Sequence, residues 1–596
     1  MKKFTLVALL FLFLINTKAQ TFNPQLASML QDTLDTYVSA ISNIKGMSAS
    51  VYIPGQGIWQ GTSGVSHSGQ PITKEMEFGI ASNSKLFVST MMLMLQEDGI
   101  LSLEDSVHEW LPNYTNVNPD ITIRQLLNHT SGVSDPIFAS PWMDTIMTNP
   151  TRVFTPNEVL SWLGAPLFAP GTGWNYSNVN YILAGMIAQS ATGFSISQLI
   201  RDSILDPLNM DSTFYDVEEP ERGIISHRWY NSIDYNDTSR VGLNSAGGCA
   251  GSIFSTSSEM AQWYHALFSG QIISASSLAE LSTFVATSNP DYDYGLGLDR
   301  STTLGTDYWG HGGSTWGYRS KMIYDTCMGT VICGLTNSWP SGMEGVTFLL
   351  YRVVLNHVPQ CAEALNGLNT VCQGTNGIVY TVPPITNATS YTWTLPSGAI
   401  GTSNTNSITV DYGLSAASGF ITVSGVNNFG AGGNSSLWVN VNPKPATPLI
   451  TESLNVLTSS SPVGNQWYNS NGMIAGATNQ TYTATASGDY YVIVTLAGCS
   501  SDSSNVLNVI ITGIEDSNPE LKILMYPNPA SDQLIIEIDK SIGLTTFEIS
   551  TVTGQVIWTG NLISHTIIPT SEFTPGIYMV KFENKKSRDY KKVIFR

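Results

Sequence analysis

Ser82 and Lys85 stand three residues apart in F-G-I-A-S-N-S-K at 78–85. On a helix that spacing puts both side chains on one face, about one turn apart. A serine hydroxyl needs a base beside it to become a nucleophile. A lysine is such a base once desolvation or nearby cations lower its pKa. Two more polar groups, Tyr176 and Asn178, flank Ser177 in F-A-P-G-T-G-W-N-Y-S-N at 168–178. A phenol, with a pKa near 10, can ionise beside a lysine ammonium and act as general base. The third group is His311 in Y-W-G-H-G-G-S-T-W-G-Y at 308–318, where Gly312 and Gly313 let a ligand's backbone approach a strand closely.

The elements that must position these groups surround them. After Lys85, L-F-V-S-T-M-M-L-M-L is apolar almost all round, which predicts a buried helix. Gly99 should end it. A Pro-Gly turn precedes Tyr176, and the apolar stretch Y-I-L-A-G-M-I that follows predicts a second helix. His311 opens a strand pair that continues as S-K-M-I-Y and T-V-I-C-G-L. Each motif alone is weak. S-x-x-K recurs at Ser42–Lys45, Y-x-N at Tyr114 and Tyr526, and H-x-G at His67–Gly69. Chance accounts for a single S-x-x-K, and Tyr176 or His311 alone reads equally well as a packing residue. Context separates the copies: Ser42 lies where a mostly polar helix runs into Gly46 and a strand, with no buried helix behind it.

In this order, S-x-x-K, Y-x-N and H-x-G resemble the serine β-lactamase and penicillin-binding protein superfamily, specifically its class C-type (β-lactamase-related) hydrolases. Supporting strings are I-T-I-R-Q-L-L-N-H-T-S-G-V at 121–133, D-P-L-N-M-D-S-T-F at 206–214, A-G-G-C-A-G-S-I-F-S-T at 246–256 and Y-G-L-G-L at 294–298. The resemblance covers about 30–350. It implies an α/β fold, an antiparallel sheet with flanking helices and a helical subdomain. It also implies roles: Ser82 as acylated nucleophile, Lys85 sharing its proton, Tyr176 as general base, Asn178 bridging Lys85 and the substrate. His311 would be the basic residue on the strand facing the site, and the backbone N–H groups of Ser82 and Ser314 the oxyanion hole. Gly312 and Gly313 would line the substrate. One departure stands out. The family commonly carries Thr or Ser where this chain has Gly312, and that hydroxyl helps hold a substrate carboxylate.

Length and composition agree with a large exported enzyme. The 596 residues suggest three to five domains. Charged residues are 12% of the chain against roughly 25% in ordinary globular proteins, and the net charge of −19 argues against nucleic acid as a partner. Lys2 and Lys3, the apolar run from Phe4 to Ile15 and a small residue at Ala19 predict a signal peptide at 1–19. The catalytic α/β region is expected at 24–357. Residues 361–510 hold only six charged side chains and recur as short alternating strands, which predicts β-sandwiches. The Pro-rich hinge N-P-K-P-A-T-P at 442–448 divides them into 361–443 and 445–512. These resemble PKD-like and immunoglobulin-like modules, spacers before binders of a cell-surface polysaccharide. Residues 523–596 carry M-Y-P-N-P-A at 525–530, continue to P-G-I-Y-M-V-K and end basic. They resemble the C-terminal sorting domain of the type IX secretion system, which implies that machinery as a partner and a secreted or cell-surface protein.

Other residues read as structural: His129 in its N-H-T-S-G turn, and Cys249 in a Gly-rich apolar setting. Cys361, Cys372 and Cys499 are candidates for disulfides, with connectivity open. No G-x-S-x-G elbow, H-E-x-x-H or spaced Cys/His cluster occurs, so neither a metal nor a cofactor is expected. The sequence thus points to a serine hydrolase working through an acyl-enzyme on a small-molecule or peptide amide or ester. An esterase or small-peptide or D-amino-acid peptidase is favoured over a true β-lactamase or D-Ala-D-Ala carboxypeptidase. The alternative from another class is a surface binding protein with a dead hydrolase domain.

Overall fold

Helix α1 (Pro24–Ala40) starts where the Asn23 side chain accepts the Leu26 N–H, and buries Leu26, Leu30, Leu34 and Val38, a four-residue stripe on one face. The chain, described by a computed structural model over residues 21–137, 140–302, 305–511 and 522–596, then enters a sheet. The expected leader at 1–19 lies outside the described residues. Strands β1 (Gly46–Ile53), β2 (Gly57–His67) and β3 (Gln70–Pro71) come first. A mostly helical stretch follows, including α2 (Ser84–Glu97), α3 (Asn178–Thr192) and α4 (Ser257–Phe268). The chain returns as β4 (Val285–Ala286), β5 (Asp293–Tyr294), β6 (Asp299–Ser301), β7 (Tyr308–Thr315), β8 (Tyr318–Asp325) and β9 (Val331–Thr336), and closes with α5 (Met343–His357).

The nine strands form one antiparallel sheet in the order β3-β2-β1-β9-β8-β7-β6-β5-β4. The interior strand β1 shows why it is buried on both faces. Met47, Ala49, Val51 and Ile53 pack with Leu26, Leu34, Leu350 and Val354 of α1 and α5. Ser48 and Ser50, on the opposite face, both bond the Ser257 hydroxyl at the start of α4, at 2.9 and 2.8 Å. That alternation is the period of two of a strand. The second face belongs to the larger core, which holds Phe87, Trp263, Met322 and Leu335. This is an α/β β-lactamase/transpeptidase-like catalytic region, followed by β-rich modules.

Among those modules, the first has a core of Tyr380, Val410, Ile421 and Val439. It is tied to the catalytic region by a Cys327–Cys361 disulfide and by the Asn427 amide, which donates to the His357 carbonyl at 2.6 Å. Cys327 was not among the sequence candidates. It sits in the turn between β8 and β9, and only folding brings that turn to Cys361. Residues 444–596 form a second unit. Its sheets enclose two cores, one around Trp467 and Val492 and one around Leu534, Ile536, Phe547 and Val580.

Candidate functional site

Ser82 lies in a single 3-10 turn, Ala81–Asn83, that runs directly into α2. The turn is held tightly. Asn83 donates to the Ser320 hydroxyl at 2.7 Å, and Ser320 donates to the Ile80 carbonyl at 2.6 Å. Ala81 has φ +50, a left-handed conformation that costs an alanine energy and persists only where its surroundings impose it. Gly313 on β7 is part of that imposition: a Cβ there would lie 2.2 Å from the Ile80 carbonyl oxygen. The glycine lets the Ser82 turn rest directly on the strand.

Lys85, the second residue of α2 and one turn on from Ser82, is fully buried. Its Nζ contacts Ser82 Oγ at 3.0 Å, Asn178 Oδ1 at 2.8 Å and the Ala250 carbonyl at 2.8 Å. Burial pushes its pKa down to about 7, against the pull of the Asp135 carboxylate. Asn178 opens α3. Asp135 Oδ2 accepts both its backbone N–H, at 3.0 Å, and its side-chain Nδ2, at 2.8 Å. This fixes the amide so that Oδ1 faces Lys85 as a pure acceptor. The Ala250 carbonyl is also acceptor-only. When Lys85 is neutral its two N–H groups therefore go to Asn178 and Ala250, and the lone pair is left facing the Ser82 hydroxyl.

Tyr176 sits differently from the expectation of a phenolate beside an ammonium. Lys85 Nζ stands over the face of its ring, 4.9 Å from the centroid. The hydroxyl is buried without a hydrogen-bond partner among the described residues. Burial drives the phenol pKa well above its ordinary value, with the neighbouring Ser82 side chain acting the other way. The resting phenol is neutral. His311 is buried on β7, and burial lowers its pKa, with Asp299 opposing and Lys85 reinforcing. One ring nitrogen, Nδ1, faces the Gly312 carbonyl, which can only accept, so Nδ1 carries the proton. Nε2 then accepts from the Tyr294 hydroxyl at 2.9 Å. His129, read as structural, is also buried. Its Nδ1 accepts from the Ser177 N–H and from Asn180, at 3.2 and 3.0 Å, and its ring packs 4.3 Å from that of Tyr176.

Strand β7 presents a free edge to these groups. Its neighbour β6 pairs with it only from Tyr308 to Gly310, while β8 pairs along its whole length. Among the described residues, 311–315 are therefore paired on one side only. They line a cavity of about 720 Å³ that Ser82, Tyr176 and Asn178 also reach. The eight residues singled out in the sequence, Ser82, Lys85, Tyr176, Asn178, His311, Gly312, Gly313 and Ser314, thus come together. The recurrent motifs do not. Ser42 is in the turn after α1, with Lys45 over the Trp229 ring. His67 stacks on His227, and the Tyr114 hydroxyl donates to Asn157.

Three participants escaped the sequence reading: Asp135, which orients Asn178; the Ala250 carbonyl; and Tyr294, which holds His311. Ala250 and Tyr294 do fall inside A-G-G-C-A-G-S and Y-G-L-G-L, strings quoted for their likeness to the family without a role. Asp135 lies two residues beyond N-H-T-S-G-V.

Comparisons with known proteins bear on the domains of the chain. A model described as PKD-like domain matches residues 358–439, and one described as Secretion system C-terminal sorting domain matches 524–596. The latter is a type IX sorting domain, and it marks the protein for export, to the cell surface or beyond. Penicillin-binding protein 4* of Bacillus subtilis (strain 168) is 32% identical over 43% of this chain; the chain spans 59% of that relative. Protein flp of Staphylococcus aureus (strain MW2) is 37% identical over 24% of this chain and 28% of its own length. The crystal structure of D-amino acid amidase from Ochrobactrum anthropi SV3 complexed with L-phenylalanine amide is 25% identical with a TM-score of 0.50, covering 56% of this chain and 99% of that one. Residues 34–354, more than half of the 596, match the model described as Beta-lactamase: this chain belongs to the Beta-lactamase family.

Proposed function

We propose that the protein is an exported serine hydrolase that forms an acyl-enzyme at Ser82 with small amides or esters. The observation that carries this reading is the Lys85 amine, buried, with a pKa near 7 and two acceptor-only partners that aim its lone pair at Ser82. Ser82 Oγ attacks the carbonyl carbon as its proton passes to Lys85 Nζ. The carbonyl oxygen becomes an oxyanion, which the backbone N–H groups of Ser82 and Ser314 would stabilise. Each such donor contributes about 100- to 1,000-fold in rate. The tetrahedral intermediate collapses, breaking the bond to the leaving group, which takes a proton from the neutral Tyr176 hydroxyl; Lys85 returns its proton to Tyr176. Water then attacks the acyl carbon as its proton passes to Lys85 Nζ; the bond to Ser82 Oγ breaks as Ser82 takes that proton back, and the acid leaves. Lys85, not a Tyr176 phenolate, is the first proton acceptor in this scheme, because burial favours the neutral form of both groups.

The likeness to D-amino acid amidase favours amino-acid amides among the amides. Gly312 offers no hydroxyl for a substrate carboxylate, which favours esters and simple amides over β-lactams and D-Ala-D-Ala peptides. The sorting domain delivers this chemistry outside the cell, with the β-modules as spacer. The test is labelling with a fluorescent phosphonate followed by peptide mapping. The label should sit on Ser82 and disappear in Ser82→Ala; a label elsewhere, or none, overturns the reading.

A further inference from the structure

Tyr176, the proton donor to the leaving group in the scheme above, stands on backbone that belongs to no helix or strand. Residues 173–177 lie between such elements until α3 opens at Asn178. The N–H groups on either side of Tyr176 end on one residue. Asn175 N–H donates to the His129 carbonyl at 3.1 Å, and Ser177 N–H donates to His129 Nδ1 at 3.2 Å. Between these two bonds the His129 ring packs against that of Tyr176, with centroids 4.3 Å apart. His129 grips the chain before and after Tyr176 and touches its ring.

The grip depends on which nitrogen of His129 carries the proton, and Asn180 decides that. The Ser131 hydroxyl accepts the Val133 N–H at 3.1 Å and donates to Asn180 Oδ1 at 2.7 Å. This turns Asn180 Nδ2 toward His129 Nδ1, at 3.0 Å. Nδ1 faces two donors and must be the acceptor, so the proton sits on Nε2. Nε2 has no hydrogen-bond partner among the described residues, although His129 is wholly buried. Burial, with Lys85 and His311 reinforcing, holds the His129 pKa well below its ordinary value, so no second proton displaces the bonds at Nδ1. The backbone is left-handed here, φ +63, a conformation that His and Asn adopt more readily than apolar residues.

We propose that His129 is a positioning residue for Tyr176: its carbonyl and its Nδ1, kept as an acceptor by Asn180, hold the 175–177 backbone so that the Tyr176 hydroxyl meets the leaving group. This role rests on the acyl-enzyme reading and names what sets its proton donor. His129 acts through Tyr176, not on the reacting atoms. Losing the grip therefore falls on proton transfer to the leaving group rather than on attack by Ser82.

The experiment uses the full chain and two esters of one acid, p-nitrophenyl acetate and p-nitrobenzyl acetate, compared by kcat/KM, which ends at acylation. A p-nitrophenolate departs without a proton, whereas a benzylic alkoxide needs one. The benzyl-to-phenyl ratio therefore reads the proton donor, and any unfolded fraction cancels from it. Tyr176→Phe should lower the ratio about 100-fold, the lower end of what a general acid contributes. His129→Leu and His129→Asn introduce side chains of one shape that differ in the acceptor. His129→Leu should lower the ratio about 10- to 100-fold, as a misplacement of roughly 1 Å does. His129→Asn should keep it within about threefold, because Asn Oδ1 takes the place of Nδ1 and Asn tolerates the left-handed backbone. Asn180→Asp has no N–H to offer, draws a proton onto Nδ1 and should lower the ratio as His129→Leu does; it carries the same test where His129→Leu does not fold. Equal ratios for His129→Asn and His129→Leu overturn the positioning role, and so does an unchanged ratio in Asn180→Asp. Phosphonate labelling and Tyr176→Phe separate the two levels. With Ser82 labelled and the ratio lowered in Tyr176→Phe, those failures sink the positioning role alone. Ser82 unlabelled, or a ratio unmoved by Tyr176→Phe, sinks the underlying scheme and the positioning role with it.

Discussion

The catalytic region and the β-modules are stabilised by different kinds of burial. Between residues 24 and 357 the interior holds Glu77, Lys85, His129, Arg201, Arg228 and His311, each with under a tenth of its surface exposed. Beyond 361, the described buried polar side chains are Ser459, Asn465, Ser501, Ser504, Thr545, Thr570 and Asp589, only the last of them charged. Burying a titratable group costs free energy unless partners compensate. The modules largely avoid that cost and rest on alternating apolar strands. The catalytic region accepts it repeatedly, and around Ser82 the result is a lysine whose proton is loosely held. Perturbed groups gathered in a cavity mark where chemistry is possible.

The comparison breaks if the buried pair at the centre is dispensable. Ser82→Ala or Lys85→Met should cost about 10⁶-fold in kcat for an ester substrate, the loss seen when a nucleophile–base unit is broken. Ser42→Ala should keep wild-type kcat, because Ser42 lies in a turn beside no buried amine. The modules make the converse prediction. A chain ending near residue 512 should keep kcat/KM and lose delivery to the surface or medium entirely, since the sorting domain begins at 524. Fractionating the native host with an antibody to the catalytic region checks this; normal surface display of the truncated chain would refute it.

The sequence carried the catalytic elements well because their signals are local. The all-apolar run after Lys85 is α2, and Gly99, with φ +69 and its N–H on the Gln96 carbonyl, follows the helix end as expected. What stayed hidden depends on long-range approach. Asp135 meets Asn178 across 43 residues and Ala250 meets Lys85 across 165. Cys327 meets Cys361 across 34 residues. The protonation of Tyr176 was also out of reach, because it follows from burial and ring orientation, which spacing does not encode.

Lys85 also sharpens the comparison through pH. Its folded pKa of about 7 lies below the ordinary lysine value, so the neutral base is the form present above pH 7. Activity on an ester should be level above about pH 7.5 and fall about tenfold per unit as pH drops below 7. An acid limb centred near 5, or none, would reassign the base. Asp135→Asn removes a carboxylate that raises this pKa and loosens the Asn178 amide. It should move the limb to lower pH and cost roughly 10- to 150-fold in kcat/KM, the worth of a charged hydrogen bond. A loss with the limb unmoved would make Asp135 merely structural.

The smallest effect concerns stability, and it compares two adjacent glycines. Neither has a positive φ, so backbone strain does not distinguish them. Space does. A methyl on Gly313 would meet the Ile80 carbonyl oxygen and the Ser320 hydroxyl, both at 2.2 Å. The hydroxyl can rotate away, but the carbonyl belongs to the turn that carries Ser82 and cannot. A methyl on Gly312 meets only Glu344 Oε1, at an ordinary 3.7 Å. Overpacking costs about 1–3 kcal/mol, and in a region this large each kcal/mol lowers the melting temperature by about 2–4 °C. Gly313→Ala should therefore lower the calorimetric transition of the catalytic region by about 2–12 °C, whereas Gly312→Ala should stay within about 1–2 °C of wild type. Phosphonate labelling gives a second readout, because the Gly313 methyl pushes on the nucleophile's own turn: labelling of Gly313→Ala should slow along with the loss of stability. Equal melting temperatures for the two variants would mean that Ile80 and Ala81 yield freely, and that the tight seat of the Ser82 turn on β7 is not what holds Ala81 in its left-handed conformation.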